Sequence, residues 1–288
     1  MGAFDVHRSH AVSRDGTRIA YDVTGSGPPL LLVHGGAGDR TRWDVLRPHL
    51  DAHHTVHAMD RRGRGDSGDG PDYSLEREYE DVAAVVDAIA RQTGSEVAVY
   101  GHSYGGLCAF GAAALTPHLR PLVLYEGWPA VDPEPLSADG RLLGHLEALL
   151  EEGRREEVLE TVLREVVGMS DDEVEAYRAQ PSWQARVAAA DRFPREERAF
   201  MATSFTREMA QRVRVPTLLL TGEQTRQLWQ PDTVASYLPD AHVAVLEGQA
   251  HSADVVAPEL VAERLLAFLG THPGVERDPA GASAGERS

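Results

Sequence analysis

The sequence predicts an α/β fold: a mostly parallel β-sheet of about eight strands flanked by helices and interrupted once by a helical insertion. Three observations predict it. Short apolar runs alternate with longer stretches of helical spacing, the pattern of a parallel sheet covered by helices. The segment Gly101-His102-Ser103-Tyr104-Gly105-Gly106 follows the apolar run Val97–Tyr100 and precedes the alanine-rich stretch 107–115, so a strand, a sharp turn and a helix succeed one another. Between Pro129 and about Arg212 the alternation stops, and charged helical stretches take its place.

Taken in order, the apolar runs place strands near 10–13, 17–23, 29–33, 54–59, 96–100, 121–126, 215–221 and 241–246. The first two are joined through Arg14-Asp15-Gly16, and Asp-Gly between alternating residues favours a hairpin. Helices are expected over 42–49, 75–93, 104–116, 232–238 and 257–269. Within 75–93, Val82, Val85, Val86 and Ile89 recur at helical spacing and predict one buried face. The insertion contains helical stretches Leu142–Leu150, Val158–Val167 and Asp171–Ala179. Its breaks at Gly153, Gly168-Met169-Ser170, Gln180-Pro181 and Phe193-Pro194 suggest four or five short helices. The organisation is therefore a first core part over 1–129, the insertion over 130–212, a second core part over 213–270 and a tail over 271–288. The tail is rich in Gly, Pro, Ala, Ser and charge and is expected to be disordered.

Composition bounds the function. The chain has 288 residues, of which 42% are apolar and 25% charged, enough for a substantial core. It contains no lysine; 28 arginines face 45 acidic residues, a net charge of −17 that repels nucleic acid and anionic membrane surfaces. No apolar run approaches a membrane span. The expected partner is a small-molecule substrate, with no nucleic acid and no membrane, and oligomeric state is left open. The single cysteine, Cys108, allows no disulfide within one chain. The stretch Met1–Arg8 lacks the basic-then-apolar form of a secretion signal, so cytoplasmic residence is expected. Among the 13 histidines, His49, His53, His54 and His57 cluster at a helix–strand junction. No carboxylate or cysteine framework accompanies them, so neither a metal nor any other cofactor is expected.

The chemistry begins at Ser103. A serine flanked by glycines between a strand and a helix is lifted clear of the sheet, and the helix N-terminus aims free backbone N–H groups, led by that of Tyr104, at an oxyanion forming beside it. A serine hydroxyl is a poor nucleophile at neutral pH and needs a base, which needs a partner to orient it. His251 is the best base candidate: it follows the apolar strand Val243–Leu246 and Gly248, and leads into a final amphipathic helix. A second glycine-bearing loop, Val33-His34-Gly35-Gly36, follows Leu30–Leu32.

Together with Asp60-Arg61-Arg62-Gly63-Arg64-Gly65-Asp66-Ser67 and Gly248-Gln249-Ala250-His251, these segments resemble the landmarks of the α/β-hydrolase family, in the same order, over roughly 260 residues. The resemblance implies a serine hydrolase of esterase type with Ser103 as nucleophile and His251 as base. It implies that Gly36 and Tyr104 supply the oxyanion N–H groups, that the insertion forms a cap over Ser103, and that Asp60, Arg62 and Ser67 support a structural turn.

The acid departs from the commonest family pattern. After the strand Pro216–Thr221, relatives often carry G-x-x-D, whereas this chain has Gly222-Glu223-Gln224-Thr225. The strand Pro121–Tyr125 ends in Glu126, at the catalytic edge of the sheet, and Glu126 is the preferred acid. Glu223 and Asp232 remain alternatives, and Thr225 itself is assigned no part. Trp43, Trp128, Trp183 and Phe193 are candidates for an apolar pocket, with core packing as the competing explanation. The function expected is hydrolysis of an ester, lactone or thioester of a small, largely apolar substrate through an acyl-enzyme. The alternatives are a non-hydrolytic enzyme on the same scaffold (a lyase, cyclase or cofactor-free oxygenase) and a silent binding protein.

Overall fold

The computed structural model describes residues 6–36, 38–129, 140–169, 171–179, 183–203 and 206–272. The expected tail lies outside these residues beyond His272, as do Ser170 and the expected break at Gln180-Pro181. The strands are β1 (His7–Val12), β2 (Arg18–Gly25), β3 (Pro29–Val33), β4 (Thr55–Met59), β5 (Val97–His102), β6 (Leu119–Tyr125), β7 (Thr217–Gly222) and β8 (Ala241–Leu246). They form one sheet in the order β1-β2-β4-β3-β5-β6-β7-β8. The pairs β1–β2 and β2–β4 are antiparallel, and every pair from β4 to β8 is parallel. This is the mostly parallel, helix-flanked sheet that the alternation predicts.

The central strands are buried on both faces, which is why they read as unbroken apolar runs. Alternate residues feed opposite layers: Leu31 and Val33 join one core with the helices Leu75–Thr93 and Tyr104–Ala112, while Leu30 and Leu32 join another with the helix Pro258–Thr271. The helix Leu75–Thr93 buries Val82, Val85, Val86 and Ile89, each worth roughly 1.5–3 kcal/mol relative to exposure. It starts where Ser74 Oγ accepts the Arg77 N–H and stops at Gly94, whose φ of 74° few other residues adopt.

Three helical expectations are corrected. The stretch 42–49 is a 3₁₀ turn, Arg40–Asp44, and a short helix, Arg47–Leu50, because Pro48 has no N–H to donate to the Asp44 carbonyl. The helix after Ser103 ends at Ala112, not 116. Phe193-Pro194 opens the helix Arg192–Ala202 instead of breaking one; proline fits a first turn, whose N–H groups have no helical acceptor.

Between β6 and β7 lie the helices Arg141–Glu151, Arg155–Thr161, Asp171–Arg178, Trp183–Ala188, Arg192–Ala202 and Arg207–Arg212, with a π turn at Val162–Val166. The first five and the π turn share an apolar cluster of their own that includes Leu146, Leu159, Leu163 and Trp183, whereas Arg207–Arg212 packs Ala210 into the main core. Because β4 and β5 flank β3 on opposite sides, the chain leaves β3 and β5 in a way that opens a crevice at their carboxyl ends, the usual ligand site of such sheets.

Candidate active site

Ser103 stands at that crevice, between β5 and the helix Tyr104–Ala112, with φ 54° and ψ −129°. Such a backbone costs roughly 1–3 kcal/mol and persists only where its surroundings enforce it. Here the Ser103 N–H donates to the Tyr125 carbonyl at 2.9 Å and its own carbonyl accepts from Gly106 N at 2.8 Å. Close approach of neighbouring backbone is possible only because side chains are missing: a Cβ on Gly105 would lie 2.3 Å from the His34 carbonyl oxygen, and one on Gly127 2.1 Å from that of Ser103. Glu126, at the end of β6, shares the unusual backbone, with φ 46°.

The Glu126 side chain is fully buried and uses both oxygens. Its Oε2 accepts from His251 Nδ1 at 2.7 Å. Its Oε1 accepts from Gly222 N at 2.8 Å, from Thr221 Oγ1 at 2.9 Å, and from Thr225 Oγ1. The carboxylate thus fixes the imidazole proton on Nδ1 and leaves Nε2 as the basic nitrogen. Thr225, given no part at the sequence level, is one of the donors that hold the acid. The alternatives pair elsewhere: Glu223 accepts from Gly248 N at 2.9 Å and Asp232 forms an exposed ion pair with Arg226.

The loop bearing His251 is tied to the core at several points. His102 Nε2 lies 2.8 Å from the His251 carbonyl and donates to it. Tyr125 OH donates to the Ala250 carbonyl, and Arg42 grips Asp254 through two bonds of 2.7 Å. Complete burial, reinforced by the Arg42 cation, holds the His102 ring well below the usual histidine range, so it is a neutral strut. Trp229 stacks on His251 with ring centroids 5.7 Å apart and planes 1° from parallel.

Ser103, His251, Gly36, Tyr104, Trp128 and Phe193 all line one cavity of about 280 Å³. Its wall continues along Leu146, Val162, Leu163 and Met169 of the segment between β6 and β7. The structure moves two expected pocket residues elsewhere. Trp43 is in the core beneath the sheet, edge-on to Tyr100, because its 3₁₀ turn points inward. Trp183 packs inside the helical segment, its Nε1 donating to Glu156 and Arg178 lying over its ring. Trp229, not among the expected pocket residues, is the tryptophan beside His251. No group of three or more potential metal ligands occurs among the described residues.

One wall is polar. Arg61, wholly buried, donates to Glu78 Oε1 at 2.6 Å and to Glu196 Oε1 at 2.9 Å, and Arg64 donates to the same Glu196 oxygen at 2.6 Å. Arg61 also lies 4.4 Å from the centroid of the Tyr104 ring, and its neighbouring carboxylates raise its affinity for the proton further. Asp60, Arg62 and Ser67 serve the turn: Asp60 accepts from the N–H groups of Arg40 and Asp66, Arg62 pairs with Asp81 and Asp15, and Ser67 Oγ donates to the Asp60 carbonyl.

A mostly parallel sheet with a serine on a strained turn and a carboxylate-bound histidine, both lining one cavity, defines a class of enzymes. The profile of the alpha/beta hydrolase family matches residues 30–264, and the chain belongs to that family. It is 35% identical to a structurally solved alpha/beta hydrolase of Sphaerobacter thermophilus, with a TM-score of 0.76 over 91% of this chain and 100% of that one. Among curated proteins, it is 28% identical over 295 residues to 2-(acetamidomethylene)succinate hydrolase of Mesorhizobium japonicum, covering 93% of this chain and 98% of that one. The thermophilic esterase of Thermogutta terrifontis has the same fold, with a TM-score of 0.73 at 22% identity over 92% of this chain and 98% of that one. The chain is a hydrolase.

Proposed function

We propose that this hydrolase cleaves an ester, lactone or thioester of a small, largely apolar substrate through an acyl-enzyme intermediate. The observation that carries the reading is the buried 2.7 Å bond between Glu126 and His251, on a cavity wall that also presents Ser103. His251 Nε2 takes the proton of Ser103 Oγ as that oxygen attacks the carbonyl carbon. The N–H groups of Tyr104 and Gly36 receive the oxyanion, and Glu126 stabilises the imidazolium. Collapse expels the alcohol or thiol with the proton from His251. Water then enters by the same route, and the acid leaves Ser103 restored.

The segment 130–212 acts as a cap in this reading, since Leu146, Val162, Leu163 and Met169 supply an apolar wall facing Ser103. The lining is mainly apolar and the volume suits a compact acyl group. No helix among the described residues is long and apolar enough to cross a membrane. Two measurements test the reading. A fluorophosphonate should label wild-type protein at Ser103 and leave Ser103→Ala unlabelled. A panel of esters, lactones and thioesters of graded acyl length should be turned over by wild type only. An unlabelled Ser103 in natively folded protein, with no panel member hydrolysed, would sink the proposal.

A further inference from the structure

Two carboxylates share the buried cluster behind Gly36, and they are used differently. Glu78 spends both oxygens inside the protein: Oε1 accepts from Arg61 and from Tyr73 OH at 2.8 Å, and Oε2 accepts from Arg61 Nε at 3.2 Å. Glu196, only 4% exposed, takes both of its arginine contacts on Oε1. Its Oε2 has no hydrogen-bond partner among the described residues and faces Gly36, 3.2 Å from where a Cβ on that glycine would sit. Glu196 belongs to the helix Arg192–Ala202 and lines the same cavity as Ser103 and His251. Oε2 is not sealed from solvent: it opens onto the cavity, where a ligand's donor can replace water on its lone pairs.

We propose that Glu196 Oε2 is a specificity subsite that accepts a hydrogen bond from a neutral O–H or N–H group carried next to the scissile carbonyl, as in 2-hydroxy or 2-acylamino esters. The position follows from Gly36, whose N–H is the oxyanion donor in the proposed mechanism on which this inference rests. A group bound beside Gly36 and opposite Glu196 is attached at or near the carbon adjacent to the carbonyl. Neutrality follows from the charge balance: the cations of Arg61 and Arg64 offset the anions of Glu78 and Glu196. An ammonium would add a net positive charge to this balanced cluster, whereas a hydroxyl or amide N–H would not. Balance also protects the chemistry, because an uncompensated carboxylate beside Gly36 would oppose the developing oxyanion.

The test compares kcat/KM for methyl hexanoate and its 2-hydroxy, 2-methoxy, 2-acetamido, 2-(N-methylacetamido) and 2-ammonio derivatives. Methylation removes the donor while keeping the inductive activation of the carbonyl. Wild type should prefer each neutral donor over its methylated partner by about 10-fold or more, the range of one hydrogen bond to a charged acceptor. Glu196→Gln should bring those ratios close to one. If that variant is insoluble, Glu196→Asp, which keeps the charge and withdraws it by one methylene, should reduce the same ratios. Equal rates for donor and methylated esters in wild type would overturn the subsite, as would a preference that survives both substitutions. A 2-ammonio ester outrunning both neutral donors would overturn the assignment of a neutral ligand. If no ester is cleaved and Ser103 takes no fluorophosphonate, the hydrolytic reading has failed instead.

Discussion

Each residue of the candidate site was legible to the degree that its signal is local. Ser103 and His251 announce themselves through a few neighbours: glycines that permit a strained turn in one case, a strand end and a flexible loop in the other. Glu126 was legible because an acid closing an apolar strand stands out when Thr225 occupies the usual place. Its partners were not, since Thr221 and Thr225 reach it from nearly a hundred residues away and nothing local marks a hydroxyl as a donor to a distant carboxylate. Trp43 and Trp229 carry the same local information, an aromatic ring near a loop after a strand, and only the direction of their turns sends one into the core and the other onto the imidazole. The Glu126 contacts make two predictions. Glu126→Gln should lower kcat by about 10²–10⁴-fold, because an amide cannot stabilise the imidazolium and offers it the wrong hydrogen-bonding group. Thr225→Val should lower kcat by about three- to tenfold with KM little changed, because Gly222 N and Thr221 still hold Oε1. Steady-state kinetics on folded variants checks both, and wild-type turnover by Glu126→Gln would remove that residue from the mechanism.

Elements were read best where periodicity and capping agree. The helix Leu75–Thr93 has an apolar face, a serine before it and a glycine after it, and its bounds match those expected from sequence. The helix after Ser103 is too uniformly apolar to carry a periodic signal, so its end was overrun by four residues, from Ala112 to 116. The 3₁₀ turn at Arg40–Asp44 was missed because its cause, a proline without an N–H, lies one helical turn downstream. Where helix meets strand the tolerance is small. Gly105→Ala would drive a methyl group to 2.3 Å from the His34 carbonyl and 2.4 Å from that of Val33, both backbone atoms that cannot rotate away. Overpacking of this kind costs typically about 1–3 kcal/mol. The substitution should lower the thermal midpoint by several degrees, together with a loss of fluorophosphonate labelling as the loop bearing Gly36 is displaced. Calorimetry and labelling on one preparation check the pair of outcomes, and an unshifted midpoint would show that the two loops give way more easily than backbone should.

Across the whole molecule, sheet class and strand sequence were legible in the alternation of apolar runs, while the cluster of Arg61, Arg64, Glu78 and Glu196 was not: it joins residues up to 135 apart through side-chain contacts alone. His57 contributes a pH dependence to global stability. His57, in β4, is buried with neither ring nitrogen hydrogen-bonded, and burial pushes its pKa down from 6.5 to about 4. The unfolded chain therefore binds a proton that the folded one refuses between those values. The contribution is present in full above pH 6.5 and is lost as pH falls towards about 4, amounting to about 3 kcal/mol for a shift of that size. His57→Leu should remove that component, so the fall in urea unfolding free energy between pH 7 and pH 4.5 should be smaller than in wild type; parallel falls would refute the attribution. The sheet order has a further consequence, for the nascent chain. Ser103, Glu126 and the loop bearing Gly36 are all synthesised and can be shaped by β3 to β6, yet His251 arrives only after β8, which pairs with β7 at the edge of the sheet. In the proposed mechanism, an emerging polypeptide would therefore carry Ser103 without the histidine meant to activate it until that last strand docks.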